Sequence, residues 1–225
     1  MGDDSEGSVV GSTSKTLVEK PLRFDPNLKP PAPTTALKRA EANIEALELL
    51  NALEDAQRWP TAAEQQILAG YRSWGGAAQI FDRTRPEWAP LRQRLEAAVS
   101  ADVYHQLEET TLTAFFTGDD IIKPVWDALG QAGLTTGTVL EPGSGTGNFF
   151  AHAPEDVQMV GVEQDEISAR ISRLLYPDAT VIQQGFEDVA TPPDTFTAAI
   201  GNVPLTVPIA CFTNILSLEC RGKAI

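Results

Sequence analysis

The run Glu141-Pro142-Gly143-Ser144-Gly145-Thr146-Gly147-Asn148-Phe149, directly after the apolar residues Val139 and Leu140, constrains this chain more than any other feature. Glycines at alternate positions let the backbone turn sharply and bring its N–H groups against a bound molecule with no side chain in the way. An apolar strand running into such a turn is the nucleotide-binding entry of parallel α/β folds. Dinucleotide sites space their glycines G-x-G-x-x-G. Here the spacing is G-x-G-x-G, with an acid two residues before the first glycine.

That acid selects the ligand class. A carboxylate at the strand end repels a pyrophosphate but suits the cationic amino acid and sulfonium of S-adenosylmethionine (SAM). The flanking pattern predicts a sheet around the loop. Strands are expected at Gly137–Glu141, Met159–Glu163, Thr180–Gln183 and Phe196–Gly201, with helices at Asp119–Ala132 and Glu166–Tyr176. That alternation indicates a parallel, doubly wound α/β sheet of the Rossmann-like kind. Glu163 ends the second strand about twenty residues after Gly143, where such folds place an acid to accept from both ribose hydroxyls. Asp165 is the runner-up for that role. Gly185-Phe186-Glu187-Asp188 follows the third strand. Its carboxylates can accept from the adenine amino group of a cofactor and Phe186 can cover the ring, although a capped turn uses the same residues. Asn202-Val203-Pro204 follows the fourth strand. An Asn side-chain carbonyl and a carbonyl at the proline make two fixed acceptors, able to aim an amine's lone pair without a strong base.

Ahead of the sheet the texture is helical. Leu37, Ala40, Ile44, Leu47, Leu50 and Leu53 recur three or four apart, and Thr61-Ala62-Ala63-Glu64 forms a capping box for a second helix. Stretches at Pro90–Val99 and Ala101–Thr113 complete an all-helical annex over residues 36–113, followed by the SAM-binding core over 114–204 and an atypical tail over 205–225. Trp59, Trp74 and Trp88 are expected in the core or at hinges. Residues 1–35, rich in Gly, Ser and Asp and then in proline, read as a disordered tail and linker. The start of the chain has no basic-then-apolar leader and no long apolar run, which points to a cytoplasmic protein. Cys211 and Cys220 read as reduced thiols, and His105 and His152 have no metal-ligand spacing, so no metal is expected. The net charge of −14 opposes a nucleic-acid partner, because phosphate grip needs clustered Lys and Arg.

Glu141 to Phe149, Glu163, Asp188 and Asn202-Val203-Pro204 fall in the order of the adenine-N6 DNA methyltransferases. More narrowly, residues 36–204 resemble the N-terminal part of the large methylase–helicase proteins of mobile elements and plasmids. Trp74-Gly75-Gly76, Thr111-Leu112-Thr113-Ala114-Phe115-Phe116-Thr117, Leu140-Glu141-Pro142-Gly143, Leu175-Tyr176-Pro177-Asp178-Ala179 and Gly201-Asn202-Val203-Pro204 carry the likeness. The resemblance implies SAM as cofactor, with Thr117 and the loop Gly143, Gly145, Gly147 and Asn148 around its amino-acid part and Glu163 on its ribose. It implies Asn202 and Pro204 against an adenine flipped out of DNA. It also implies DNA and a helicase polypeptide as partners, and a restriction–modification setting. Two departures weigh against activity. Leu205 stands where the family has Phe or Tyr, and residues 205–225 do not read as the family's further strands and target-recognition region. Two other readings stand beside this one: a SAM-dependent methyltransferase of a small molecule or protein, and a catalytically inactive interaction fragment of a methylase–helicase.

Overall fold

The computed structural model describes residues 21–109, 111, 116–190, 192 and 195–202. Four helices come first: α1 (Ala36–Asp55), α2 (Ala62–Leu68), α3 (Ala89–Ala98) and α4 (Ala101–Glu109). After them come α5 (Asp119–Gln131), β1 (Gly137–Pro142), β2 (Val157–Glu163), α6 (Glu166–Leu175), β3 (Thr180–Gln183) and β4 (Ala198–Ala199). The capping box of α2 forms as its sequence requires, with Thr61 and Glu64 each accepting from the other's backbone N–H. At the end of α5, Gly133 takes φ +97° and Leu134 N–H reaches back to the Leu129 carbonyl, a Schellman closure.

The four strands form one parallel sheet in the order β3-β2-β1-β4. Beginning in the middle and reversing direction beside β1 is the Rossmann arrangement, and it leaves a crevice at the carboxyl ends of β1 and β4. Side chains alternate across the sheet with period two. Val139 and Met159 join the main core, while Leu140 and Val162 face a second cluster with Phe186 and Phe196.

The helical annex and the sheet share the main core rather than forming separate ones. Ile44, Leu47 and Leu68 of the annex belong to the same buried cluster as Ile167, Ile171 and Leu175 of α6. Arg170 fastens the seam, donating to Glu54, Asn51 and Glu166.

Two expectations from sequence need correcting. Residues 21–35, read as linker, pack onto the fold. Phe24 is 2% exposed, its N–H donates to the Leu175 carbonyl at 2.8 Å, and its ring meets Tyr176 edge-on. The prolines extend this segment, and one aromatic anchor is enough to hold an extended segment down. Residues 1–20 lie outside the described residues. Trp59, in the turn after α1, is 39% exposed rather than packed, while Trp74 and Trp88 are buried as expected. Among the described residues no helix is long and apolar enough to cross a membrane, and no group of His, Cys, Asp or Glu could hold a metal ion.

Candidate cofactor site

The loop leaving β1 takes the conformation its glycines permit. Gly143, Gly145 and Gly147 have φ of +66°, +54° and +85°, a region that costs side-chain-bearing residues roughly 1–2 kcal/mol. Space also matters. A Cβ on Gly147 would lie 2.8 Å from both the Phe150 and Tyr176 rings, and one on Gly145 would touch the Phe116 ring at 3.4 Å. Gly161 on β2 lets the loop lie close, since a Cβ there would come within 2.5 Å of Ser144 Oγ. The loop is pinned to β2 by Gly143 and Ser144, whose N–H groups both donate to the Val162 carbonyl.

Two acids meet at this loop. Glu141 is 3% exposed, and its Oε2 has no hydrogen-bond partner among the described residues. Burial, with Glu163 adding to it, pushes its carboxyl well above the usual range. Glu163, at the end of β2, accepts from Gly145 N–H at 2.5 Å and from Asp165 N–H at 2.8 Å. Burial pushes its carboxyl up to about 7, against the lowering effect of those N–H bonds. A buried carboxyl without a partner is costly, so its environment is suited to a cation that the protein itself does not supply.

The other expected residues divide. Asn148 sits at the far end of the loop, taking a bond from Lys29 Nζ at 2.6 Å and donating weakly to the Thr117 carbonyl at 3.4 Å. Thr117 is thereby tied to the loop. Asn202 is exposed and follows Gly201, where a Cβ would lie 3.6 Å from Glu141 Cγ. The Ile200 N–H donates to the Leu140 carbonyl at 2.9 Å, so β4 delivers Asn202 beside the end of β1. Pro204 and Leu205 lie outside the described residues. Glu187 and Asp188 are exposed after β3, and the Glu187 carboxylate folds back over Gly185.

Two roles do not survive. Asp165 is consumed as the N-cap of α6, accepting from Ile167 N–H, Ser168 N–H and Ser168 Oγ, and so is not the ribose acid. Phe186 is buried against Leu140, Val162 and Phe196, which spends its ring on the second cluster instead of over a ligand. His152, read as an ordinary residue, lies 3.5 Å from Asp119. Sequence reasoning also missed Lys29, which lay in the segment read as linker and carried no local signal.

No family model matches the chain. The chain is 32% identical over 168 residues to the defense against restriction protein B of Escherichia phage P1, covering 74% of this chain and 6% of that protein. It thus spans a small fraction of the length of the curated relative it matches. Among solved structures it is similar to the methyltransferase subunit of a type I restriction-modification system from Streptococcus thermophilus. There the identity is 12% and the TM-score 0.35, covering 75% of this chain and 57% of that one. It is also similar to a TehB-like SAM-dependent methyltransferase from Corynebacterium glutamicum, at 14% identity and TM-score 0.28, covering 37% of this chain and 53% of that one.

Proposed function

We propose that the chain forms the cofactor-binding part of a SAM-dependent DNA methyltransferase that acts on the N6 amino group of adenine. The observation that carries this reading is the buried carboxyl of Glu141, its Oε2 unpartnered among the described residues, beneath a loop of three positive-φ glycines at the end of β1. Glu141 would accept from the cofactor's ammonium group. A carboxylate offers about four lone-pair positions, and Glu163 uses two on backbone N–H groups, which leaves room for the ribose hydroxyls. Glu187 and Asp188, exposed after β3, would take the adenine end. When bound, SAM supplies an electrophilic methyl group. Asn202 would accept from the target amine and hold it toward that methyl, with Pro204 as the second fixed point. The likeness to a phage protein named for defence against restriction is in keeping with DNA as the substrate.

Calorimetry with S-adenosylhomocysteine, followed by transfer of labelled methyl from SAM to DNA, tests the reading. Gly145→Asp should abolish binding by filling the space beside the ligand. Asn202→Ala should retain binding and lose label on adenine. Equal affinity in Gly145→Asp removes the cofactor site, and label on a base other than adenine removes the substrate assignment.

A further inference from the structure

The bases of this acidic chain are scattered in sequence, yet the fold gathers three of them. A cleft of about 600 Å³ is lined by Lys29, Arg39, Arg72, the glycines Gly75 and Gly76, and the segment 116–119. Its cations come from three separate places: the extended N-terminal segment, α1, and the turn after α2. Both arginines are braced against that same segment. Arg39 Nε donates to the Pro33 carbonyl at 3.0 Å and Arg72 Nη2 to the Pro30 carbonyl at 3.4 Å.

What sets these three apart is their gathering at one cleft without carboxylate partners; Lys38, Arg92, Lys123 and Arg173 also stand outside the ion pairs among the described residues, but they do not line it. Arg23, Arg58, Arg83, Arg85, Arg94 and Arg170 each pair with an acid. Among the described residues, Lys29, Arg39 and Arg72 take part in no ion pair, although the chain carries 31 acids against 17 bases. All three are half-buried. Arg72 lies close enough to depress Lys29, whose ammonium is brought down to about 8, chiefly by burial. Arg72 is lowered chiefly by burial too, with Arg39 adding to it and Asp119 opposing it. Among the described residues Asp119 is the one acid lining the cleft, so against Lys29, Arg39 and Arg72 that lining keeps a net charge of +2. Mutually repelling cations held half-buried leave a place for an anion.

We propose that this cleft grips backbone phosphate of a nucleic-acid strand through Lys29, Arg39 and Arg72, beside the glycine loop. This rests on the reading of the chain as a nucleic-acid methyltransferase. Position supports it, because Lys29 bonds Asn148 at the end of the loop and the Phe116 ring of the cleft wall lies where a Cβ on Gly145 would meet it at 3.4 Å. A strand held here lies beside the glycine loop. Chemistry supports it as well, since two guanidinium forks and an ammonium match phosphate oxygens. Gly75 and Gly76 place no side chains in the way, and a Cβ at Gly76 would collide with the Arg39 guanidinium. The cofactor's carboxylate is a poorer match, because its own ammonium already offsets that charge.

The test is fluorescence anisotropy of the full chain with a labelled single-stranded oligodeoxynucleotide of about a dozen nucleotides, across a salt series. Arg39→Gln and Arg72→Gln should each weaken binding several-fold at low salt. Each should also reduce the slope of log K against log salt by about 0.7, the value per phosphate contact on a single strand. Arg72→Lys and Arg39→Lys, which keep the charge, should restore most of the slope, and an oligomer of abasic sites should behave like the normal one. S-adenosylhomocysteine affinity should stay within about twofold in all variants. No oligonucleotide binding by the unaltered chain, or an unchanged slope in both Gln variants, overturns the proposal. So does loss of S-adenosylhomocysteine binding with oligonucleotide binding intact, which would give the cleft to the cofactor's carboxylate. Phosphate grip without methyl transfer would sink the proposed reaction and leave this site standing.

Discussion

Glu163 closes the glycine loop from the neighbouring strand, its carboxylate accepting the Gly145 N–H at 2.5 Å. One acid thus does two things. It holds the loop in its left-handed conformation when nothing is bound, and it presents its remaining lone pairs to a ligand. Its proton affinity links the two, because the same burial that makes its bonds strong also raises its pKa to about 7.

A pH dependence follows. The folded-state pKa of Glu163 lies above its ordinary value of 4.5, so between about 4.5 and about 7 the folded state holds more protons than the unfolded one. Stability therefore falls as pH rises through that window. Glu141 and Asp165 are raised as well and act in the same direction. The melting temperature of the ligand-free protein should decline from about pH 5 toward about pH 7. Glu163→Gln should flatten part of that decline, and an equally steep decline in the variant would remove Glu163 as its source.

Gly147 and Gly143 should respond differently to alanine. Both have positive φ, but a Cβ on Gly147 meets two rings at 2.8 Å, whereas one on Gly143 meets nothing within 4 Å among the described residues. Gly143→Ala should cost only the backbone term, about 1–2 kcal/mol. Gly147→Ala adds overpacking of about 1–3 kcal/mol. Urea unfolding of the two variants measures the gap, and equal midpoints would mean that the rings yield without cost.

Much of this arrangement was legible in the sequence because it is local. The glycine spacing fixed the loop, the apolar Val139 and Leu140 ahead of it marked β1, and the Thr61–Glu64 box announced α2. What escaped was non-local. Lys29, Arg39 and Arg72 belong to three elements, and no window of sequence contains them together. Residues 21–35 looked like linker because proline-rich composition describes backbone preference and says nothing about where Phe24 docks. Phe186 and Asp165 were misread for a related reason. A ring or an acid beside a ligand turn has the same local pattern as one used for packing or capping, and only the fold says which demand wins.

Phe24 should prove to be a structural anchor. Its ring is almost wholly buried against Tyr176, and its backbone is bonded to the end of α6. Phe24→Ala should destabilise the protein by about 3 kcal/mol, at the low end for a buried Phe because the segment can partly relax. A loss under about 0.5 kcal/mol in urea unfolding would show the segment to be only loosely held.

Glu141 should display a conflict between stability and binding. Its carboxyl is buried, has an unpartnered oxygen, and faces a second acid in Glu163. Without a cation, the protein must keep Glu141 protonated or bear an unpaired buried charge, and either costs free energy near neutral pH. Glu141→Gln keeps the shape and removes the ionisation, so the empty variant should melt higher than the original, most clearly above about pH 7. The same change takes away the charge that would meet the ligand's ammonium. A charge-assisted hydrogen bond contributes about 1.5–3 kcal/mol, so S-adenosylhomocysteine affinity should fall at least roughly tenfold. Calorimetry and thermal unfolding of one variant read both effects. A Gln variant that binds as tightly as the original would mean that Glu141 faces no cation, and one that melts lower would mean that its carboxyl already has a partner in the empty protein.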